Sequence, residues 1–130
     1  MTMELTYLLY VAMLTAALWI PYVISQVTTN GFLKPANYTD PTPRPVPLWG
    51  QRAHRTYLNA VETFAPFAAL VLIIHLTDKA SAMTAYWCAG FFWMRLIHAV
   101  VYLLGVSYIR TLVFTLGFFC EVGLFWEIIK

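Results

Sequence analysis

Four long apolar segments, separated by short polar stretches, dominate the pattern of hydrophobic and polar positions along this chain. The first covers about residues 5–27 without a charged side chain, and the others cover about residues 52–76, 80–104 and 108–129. A helix needs roughly 20 mostly apolar residues to cross the hydrocarbon core of a bilayer. The pattern therefore predicts four transmembrane helices.

Short connections join these segments, apart from one proline-rich loop at residues 31–51. Five of the seven prolines lie in that loop, and this density disfavours helix and favours extended chain. Pro66 falls inside the second segment, where a missing backbone donor predicts a kink. No segment alternates as a membrane barrel strand does. We therefore expect residues 1–130 to form one domain, an all-α integral membrane protein with a four-helix transmembrane bundle.

Composition excludes several other classes of protein. The chain is 61% hydrophobic and 11% charged, whereas about 25% of the residues in a soluble domain are charged. Its net charge of +2 without a basic run gives no reason to expect a nucleic-acid partner, and membrane lipids are the expected surroundings. Cys88 and Cys120 lie inside apolar segments and are expected to be buried free thiols. The spacing of His, Cys, Asp and Glu predicts no metal site.

The basic residues are divided unevenly between the two ends of the predicted bundle. Only Lys79 and Lys130 lie at one end. The other end carries Lys34, Arg44, Arg52, Arg55 and Arg110. Because basic residues accumulate on the cytoplasmic side, we expect the loop at 31–51 to face the cytoplasm and both termini to lie outside. The corresponding location is a bacterial inner membrane or its equivalent.

Three helical stripes, with steps of three or four residues, contain ionisable side chains inside the segments. The stripes are Arg52, Arg55, Asn59, Glu62 and Pro66 in the second segment; Arg95, His98 and Tyr102 in the third; and Arg110, Phe114, Gly117 and Glu121 in the fourth. A central charged residue costs about 2.5–3.5 kcal/mol in a bilayer, so these residues should face the bundle interior. We expect the stripes to converge in the cytoplasmic third as a basic pocket for an anionic polar ligand.

Purely structural roles for individual residues remain open. Glu62 and Arg95 are deep enough to neutralise each other as an ion pair. Arg52 is placed to extend along the membrane interface. His98 alone is typical of a hydrogen-bonded interior histidine, and Glu121 is typical of a polar contact between helices.

The second segment resembles the signature of the MAPEG family, the membrane-associated proteins of eicosanoid and glutathione metabolism. That signature is an arginine pair, then Asn-x-x-Glu, then a proline four residues on. Here it reads Arg52-Ala-His-Arg55-Thr-Tyr-Leu-Asn59-Ala-Val-Glu62-Thr-Phe-Ala-Pro66-Phe67. A second block agrees with the family, with Arg95-x-x-His98-x-x-x-Tyr102 in the third segment and Arg110-Thr111 opening the fourth.

The resemblance implies a bacterial-type member that assembles as a homotrimer and binds glutathione between subunits as a cosubstrate. It implies that Arg110 lies near the sulfur and favours the thiolate, with the Thr111 hydroxyl beside it; we take both as catalytic candidates. The residues that would hold glutathione are Arg55, Asn59, Glu62, His98 and Tyr102, and Arg52 and Arg95 are further candidates in the same stripes. The implied activity is that of a glutathione-dependent transferase or peroxidase acting on lipophilic electrophiles or hydroperoxides.

Some positions depart from the family pattern. Phe114 stands where several relatives have a tyrosine that contacts glutathione, and Thr28 and Thr29 stand where relatives offer a basic residue to the neighbouring subunit's ligand. These departures favour an alternative, a non-catalytic membrane protein of the same fold that binds lipid or an anion. A small multidrug transporter is a third reading, disfavoured because the predicted pocket is basic.

Overall fold

The computed structural model of the protein describes residues 1–31, 39 and 44–130. Within that part the helices are α1 (Met3–Ala17), α2 (Trp19–Asn30), α3 (Leu48–Leu76), α4 (Ala82–Leu103) and α5 (Ile109–Ile129). Four stretches are long and apolar enough to cross a membrane, with α1 and α2 together forming the first, Met3–Asn30. The predicted all-helical fold with four membrane-length helices is therefore confirmed.

The first membrane-length stretch is interrupted at Leu18, which the apolar pattern alone did not predict. Pro21 has no backbone N–H and its ring crowds the carbonyl four residues before it, that of Ala17. The Leu18 amide is shared between the Leu14 and Thr15 carbonyls, at 3.1 and 3.3 Å. The proline thus accounts for the division into α1 and α2.

Helix α3 begins at Leu48, inside the stretch predicted as loop, and not near residue 52. Pro47 is its extended N-cap residue, and a helix readily starts where no further proline restricts the backbone. The helix continues through Pro66 to Leu76. Most of the predicted proline-rich loop (residues 32–38 and 40–43) lies outside the described residues.

A residue with positive φ follows the C-terminal end of α3 and that of α4. After α3, Asp78 has φ 55°, and the Lys79 amide donates to the Ile74 carbonyl at 3.1 Å. After α4, Gly105 has φ 77°, and the Val106 amide donates to the Val101 carbonyl at 3.0 Å. Both patterns are Schellman motifs, which satisfy the last carbonyls of a helix and reverse the chain.

Core packing joins the helices along their apolar faces. Phe67 of α3 stacks on Phe91 of α4, with ring centroids 4.1 Å apart. The buried cluster around them comprises Val11, Val71, Ile74, Cys88, Cys120 and Leu124. Both cysteines are buried and free, as predicted. Large apolar side chains such as Leu112 and Trp126 remain exposed on the outer surface, as expected for helices that face lipid.

One buried carboxylate ties the start of α1 to the start of α4. Glu4 is 4% exposed, and the Thr84 hydroxyl donates to its Oε1 atom at 2.6 Å. Thr84 also belongs to a capping box with Ser81 at the start of α4. This contact lies at one end of the bundle. The turn between α4 and α5 lies at the opposite end, together with most of the predicted site residues.

Candidate functional site

Helix α4 brings a buried histidine to the centre of the predicted site. His98 is 4% exposed. Its ring centroid lies 5.6 Å from that of Tyr102, one turn along the same helix, and 5.8 Å from that of Phe114 on α5. The predicted stripes of the third and fourth segments therefore meet at His98.

A strained turn precedes Arg110 and fixes where α5 begins. Tyr108 has φ 62° and ψ −53°, and the Ile109 amide donates to the Ser107 carbonyl at 2.6 Å. This is a γ-turn of the rare, positive-φ kind. It starts α5 beside the end of α4, so that the Arg110 guanidinium lies over the Tyr102 ring, 4.8 Å from its centroid.

Arg110 and Thr111 are exposed. The cation–π contact with Tyr102 holds one face of the Arg110 guanidinium, while the exposed side remains accessible to an anion. The Thr111 carbonyl accepts a hydrogen bond from the Thr115 hydroxyl at 2.8 Å. The start of α5 therefore carries a positive group and a hydroxyl on two consecutive exposed residues.

Arg95 lies one turn deeper on α4 and is 5% exposed. Its Nη1 atom donates to the Thr63 hydroxyl at 2.8 Å, and its Cζ atom lies 5.1 Å from the Phe114 ring centroid. The Nε and Nη2 atoms have no hydrogen-bond partner among the described residues. Arg95 is thus buried, charged and only partly satisfied.

Arg95 and two carboxylates line the same cavity of about 100 Å³. It is lined by Glu62, Thr63, Pro66, Phe91, Arg95, Phe114, Gly117, Phe118 and Glu121. Among residues 1–31, 39 and 44–130, the side chains of Lys130 and Glu127 form the only ion pair whose nitrogen and oxygen atoms lie within 4.0 Å of each other. Glu62 and Arg95 therefore share a cavity without forming a direct ion pair.

The two arginines of the second segment, Arg52 and Arg55, lie in different environments. Arg52 is half-buried, and its Nε atom donates to the Leu103 carbonyl at 3.2 Å, so it caps the end of α4. Arg55 is exposed and Asn59 is half-buried. With exposed Glu62, Arg55 and Asn59 form a polar strip along α3 that opens to the outside of the single chain.

Thr63 also belongs to this cluster, although the sequence did not predict it. Its hydroxyl donates to the Asn59 carbonyl at 2.9 Å and accepts from Arg95. A threonine inside a helix normally bonds to its own backbone, so the sequence gives no signal of the second contact. The described residues contain no group of three or more metal-ligating side chains.

The arrangement is suited to binding an anion near Tyr102 and Arg110, with polar groups of α3 nearby. Comparison with protein families gives a match to the MAPEG family over residues 5–130. Comparisons with curated proteins and with solved structures gave no match. Because the family match covers nearly the whole chain, this protein belongs to the MAPEG family.

Proposed function

We propose that this protein is a glutathione-dependent membrane transferase or peroxidase that acts on lipophilic electrophiles or hydroperoxides. Membership of the MAPEG family is consistent with a glutathione-related membrane function. The observation that carries the proposal is the exposed Arg110 guanidinium at the start of α5, held over Tyr102 at 4.8 Å.

The proposed role of Arg110 is to stabilise the thiolate of glutathione. A positive charge beside a thiol lowers the pKa of that thiol, so more of the attacking thiolate exists at neutral pH. The contact with Tyr102 keeps the guanidinium in place before the ligand arrives, and preorganised charge is more effective than charge that must be reoriented. Thr111 adds a hydroxyl that can donate to the same sulfur.

In this proposal, polar side chains of α3 and α4 hold the remaining groups of glutathione. Arg55 offers a fork for a carboxylate, and Glu62 offers an acceptor for the ammonium group. Asn59, His98 and Tyr102 supply further polar contacts, and Arg95 contributes positive charge below them. Arg52 donates to the Leu103 carbonyl. We therefore propose that it supports glutathione binding indirectly, by holding the end of α4 in position.

The proposed assembly is a homotrimer whose subunits enclose the ligand. Arg55 and Glu62 are exposed in the single chain although they lie on a membrane-length helix, where uncovered charge is unfavourable. A neighbouring subunit would cover them. We further propose that the site and the loop at 31–51 face the cytoplasm, with both termini outside, in a bacterial inner membrane or its equivalent.

Thiol transfer to a reactive aryl halide tests this function directly. Arg110→Ala should lower the rate by about 100-fold or more, the usual effect of removing a preorganised charge-stabilising group. Arg110→Lys is the matched control, because it keeps the charge and should retain part of the rate. A folded Arg110→Ala variant with full activity would exclude the assigned role.

A second candidate is a non-catalytic protein that binds lipid or an anion. It is favoured by Phe114, which carries no hydroxyl and packs on Arg95, and by Thr28, whose hydroxyl donates to the Ile24 carbonyl. The same assay separates the two functions. The second requires that folded wild-type protein shows no thiol transfer and does not bind glutathione.

A further inference from the structure

We propose that a polar pocket between the turn joining α3 to α4 and the last turn of α5 binds the phosphoethanolamine head group of a membrane lipid. In this site the phosphate lies beside Lys79 and Lys130, and the primary ammonium group lies against Asp78. The pocket is at the end of the bundle opposite Arg110 and shares no residue with the proposed glutathione site. The inference does not depend on the proposed transferase activity.

The first observation is the pocket itself. It has a volume of about 340 Å³ and is lined by Asp78, Lys79, Ala80, Ser81, Glu127 and Lys130. A single water molecule needs only about 10–15 Å³ of such space, so the pocket has room for a phosphate group and a short amino alcohol. Asp78, Lys79 and Ser81 are exposed, and a ligand can therefore reach the pocket from outside the bundle.

The second observation is that contacts within the chain hold two ammonium groups at this pocket. Lys79 Nζ donates to the Ile128 carbonyl, one of the last carbonyls of α5, which have no partner within the helix. Lys130 Nζ lies 2.8 Å from Glu127 Oε2. Because an ammonium group has three N–H donors, each lysine retains donors for a phosphate. Both positive groups are positioned before the ligand arrives, which lowers the cost of ordering them.

The third observation is the free carboxylate of Asp78. Among the described residues this carboxylate takes part in no hydrogen bond or ion pair. Asp78 has φ 55°, at a helix-ending position that glycine or asparagine usually occupies. A negative charge is also unfavourable at the C-terminal end of the α3 dipole. The carboxylate thus does not stabilise its own turn and is available to accept from an ammonium group of a ligand.

Exposed aromatic residues beside the pocket indicate its depth in the membrane. Trp126 directly precedes Glu127 on α5, and Tyr86 lies near the start of α4; both are exposed. Tryptophan and tyrosine are enriched at the level of the lipid head groups. Leu76, which ends α3, is also exposed. The pocket therefore lies where the head groups of the surrounding bilayer are, and the acyl chains of the bound lipid remain in that bilayer.

The charges of the pocket select the head group. Two lysines and two acidic residues give its walls no net formal charge, which suits a zwitterion. A glycerol head group brings only the negative phosphate and leaves the Asp78 carboxylate without a counter-charge. A choline head group has no N–H to donate to that carboxylate. A primary ammonium group has three such donors, and hydrogen bonds between charged groups are strong. Phosphoethanolamine therefore satisfies both halves of the pocket.

Native mass spectrometry of the full chain, without glutathione, tests the proposal. The probes are three lipids with identical acyl chains and ethanolamine, choline or glycerol phosphate head groups. We expect saturable binding of the ethanolamine lipid, about ten-fold tighter than that of the other two. Inorganic phosphate at the same concentration should not displace it, because phosphate supplies no ammonium group. Equal affinity for the three lipids, or displacement by phosphate, would overturn the proposal. Because glutathione is absent, neither outcome depends on the transferase activity.

Asp78→Asn tests the ammonium half of the site. Asparagine tolerates positive φ, so thermal stability should be unchanged or slightly higher. The preference for the ethanolamine lipid over the choline lipid should disappear, because the carboxylate is gone. Asp40→Asn is the same substitution in the segment that connects α2 to α3, and should leave the preference unchanged. A preference that survives in Asp78→Asn, or that both substitutions reduce equally, would refute the assignment.

Lys130→Gln tests the phosphate half. The Lys130 side chain is 52% exposed, so the variant should fold. Removing one ammonium group should weaken binding of the ethanolamine and choline lipids by the same factor, since both contain the phosphate, and should leave their ratio unchanged. Unaltered affinity for both lipids, or a loss confined to one of them, would contradict the position proposed for the phosphate.

Discussion

At the scale of single residues, two arginines three positions apart on α3 have different surroundings. Arg52 donates to the Leu103 carbonyl at 3.2 Å, where a positive charge also complements the negative end of the α4 dipole. Arg55 is exposed and free to meet a ligand. We therefore expect Arg52 to contribute mainly to the stability of the fold and Arg55 mainly to ligand binding.

Arg52→Leu should lower the stability of the detergent-purified protein, by about 0.5–2 kcal/mol for the lost cap and charge. Arg55→Leu should leave stability nearly unchanged and weaken glutathione binding roughly ten-fold, the loss expected for about 1.4 kcal/mol. Thermal unfolding and calorimetry of both variants provide the comparison. If Arg52→Leu lost only affinity and no stability, the capping role would be wrong.

A substitution of Phe114 is expected to strengthen glutathione binding and not to weaken it. Its ring lies 5.8 Å from His98, among the residues proposed to hold glutathione. Phe114→Tyr adds one hydroxyl at this position, and a hydrogen bond contributes about 0.5–1.5 kcal/mol. We therefore expect glutathione affinity to rise by roughly 2- to 10-fold, as measured by calorimetry. An unchanged affinity would indicate that the ring does not face the ligand.

At the scale of secondary-structure elements, the turn between α4 and α5 controls the site. Gly105 closes α4 with φ 77°, and the γ-turn at Tyr108 starts α5. Arg110 follows two residues later and contacts Tyr102, which precedes the turn. The geometry of the proposed thiolate site is thus set by six residues of chain, 104–109.

Gly105→Ala should destabilise the protein by about 1–2 kcal/mol, because an L-residue is strained at this φ. The new Cβ would also lie 3.3 Å from Arg52 Cζ. Gly117→Ala is the control: it is mid-helix, its Cβ has ordinary contacts, and it should be neutral or stabilising by about 0.5–1 kcal/mol. Thermal unfolding in detergent measures both. Equal effects would contradict the strain at Gly105.

The sequence predicts the helices better than their ends. Roughly 20 apolar residues in a row suffice to identify a membrane-length helix, and all four such helices are present. The start of α3 at Leu48 and the break at Leu18 depend on Pro47 and Pro21. A local backbone restriction of this kind changes one turn without changing the apolar pattern that spans it.

At the scale of the whole molecule, periodicity predicts which residues share a helix face but not which side chains touch. The stripes of α4 and α5 meet through His98 and Phe114. Arg95, however, donates to Thr63 and not to its neighbour Glu62. Successive residues of an α-helix point about 100° apart, so the rotation of α3 about its own axis decides which of the two faces Arg95. Single-chain periodicity does not specify that rotation.

The outer surface of the whole molecule includes the polar strip of α3 beside the apolar side chains that face lipid. Exposed Arg55 and Glu62 on a membrane-length helix have a physical reason to be covered, and a homotrimer would supply that cover. The proposed glutathione site would then be completed only in the assembly. The positive group of that site, the Arg110 guanidinium, is already positioned within one chain by its contact with Tyr102.

Arg110 is proposed to hold glutathione as a thiolate. The most direct measurement is calorimetric titration of detergent-purified protein with glutathione, recorded together with the ultraviolet absorbance of the thiolate. We predict saturable binding with a thiolate signal in the wild type, and binding without that signal in Arg110→Ala. A thiolate signal that persists in Arg110→Ala, or the absence of glutathione binding to folded wild-type protein, would contradict this role of Arg110.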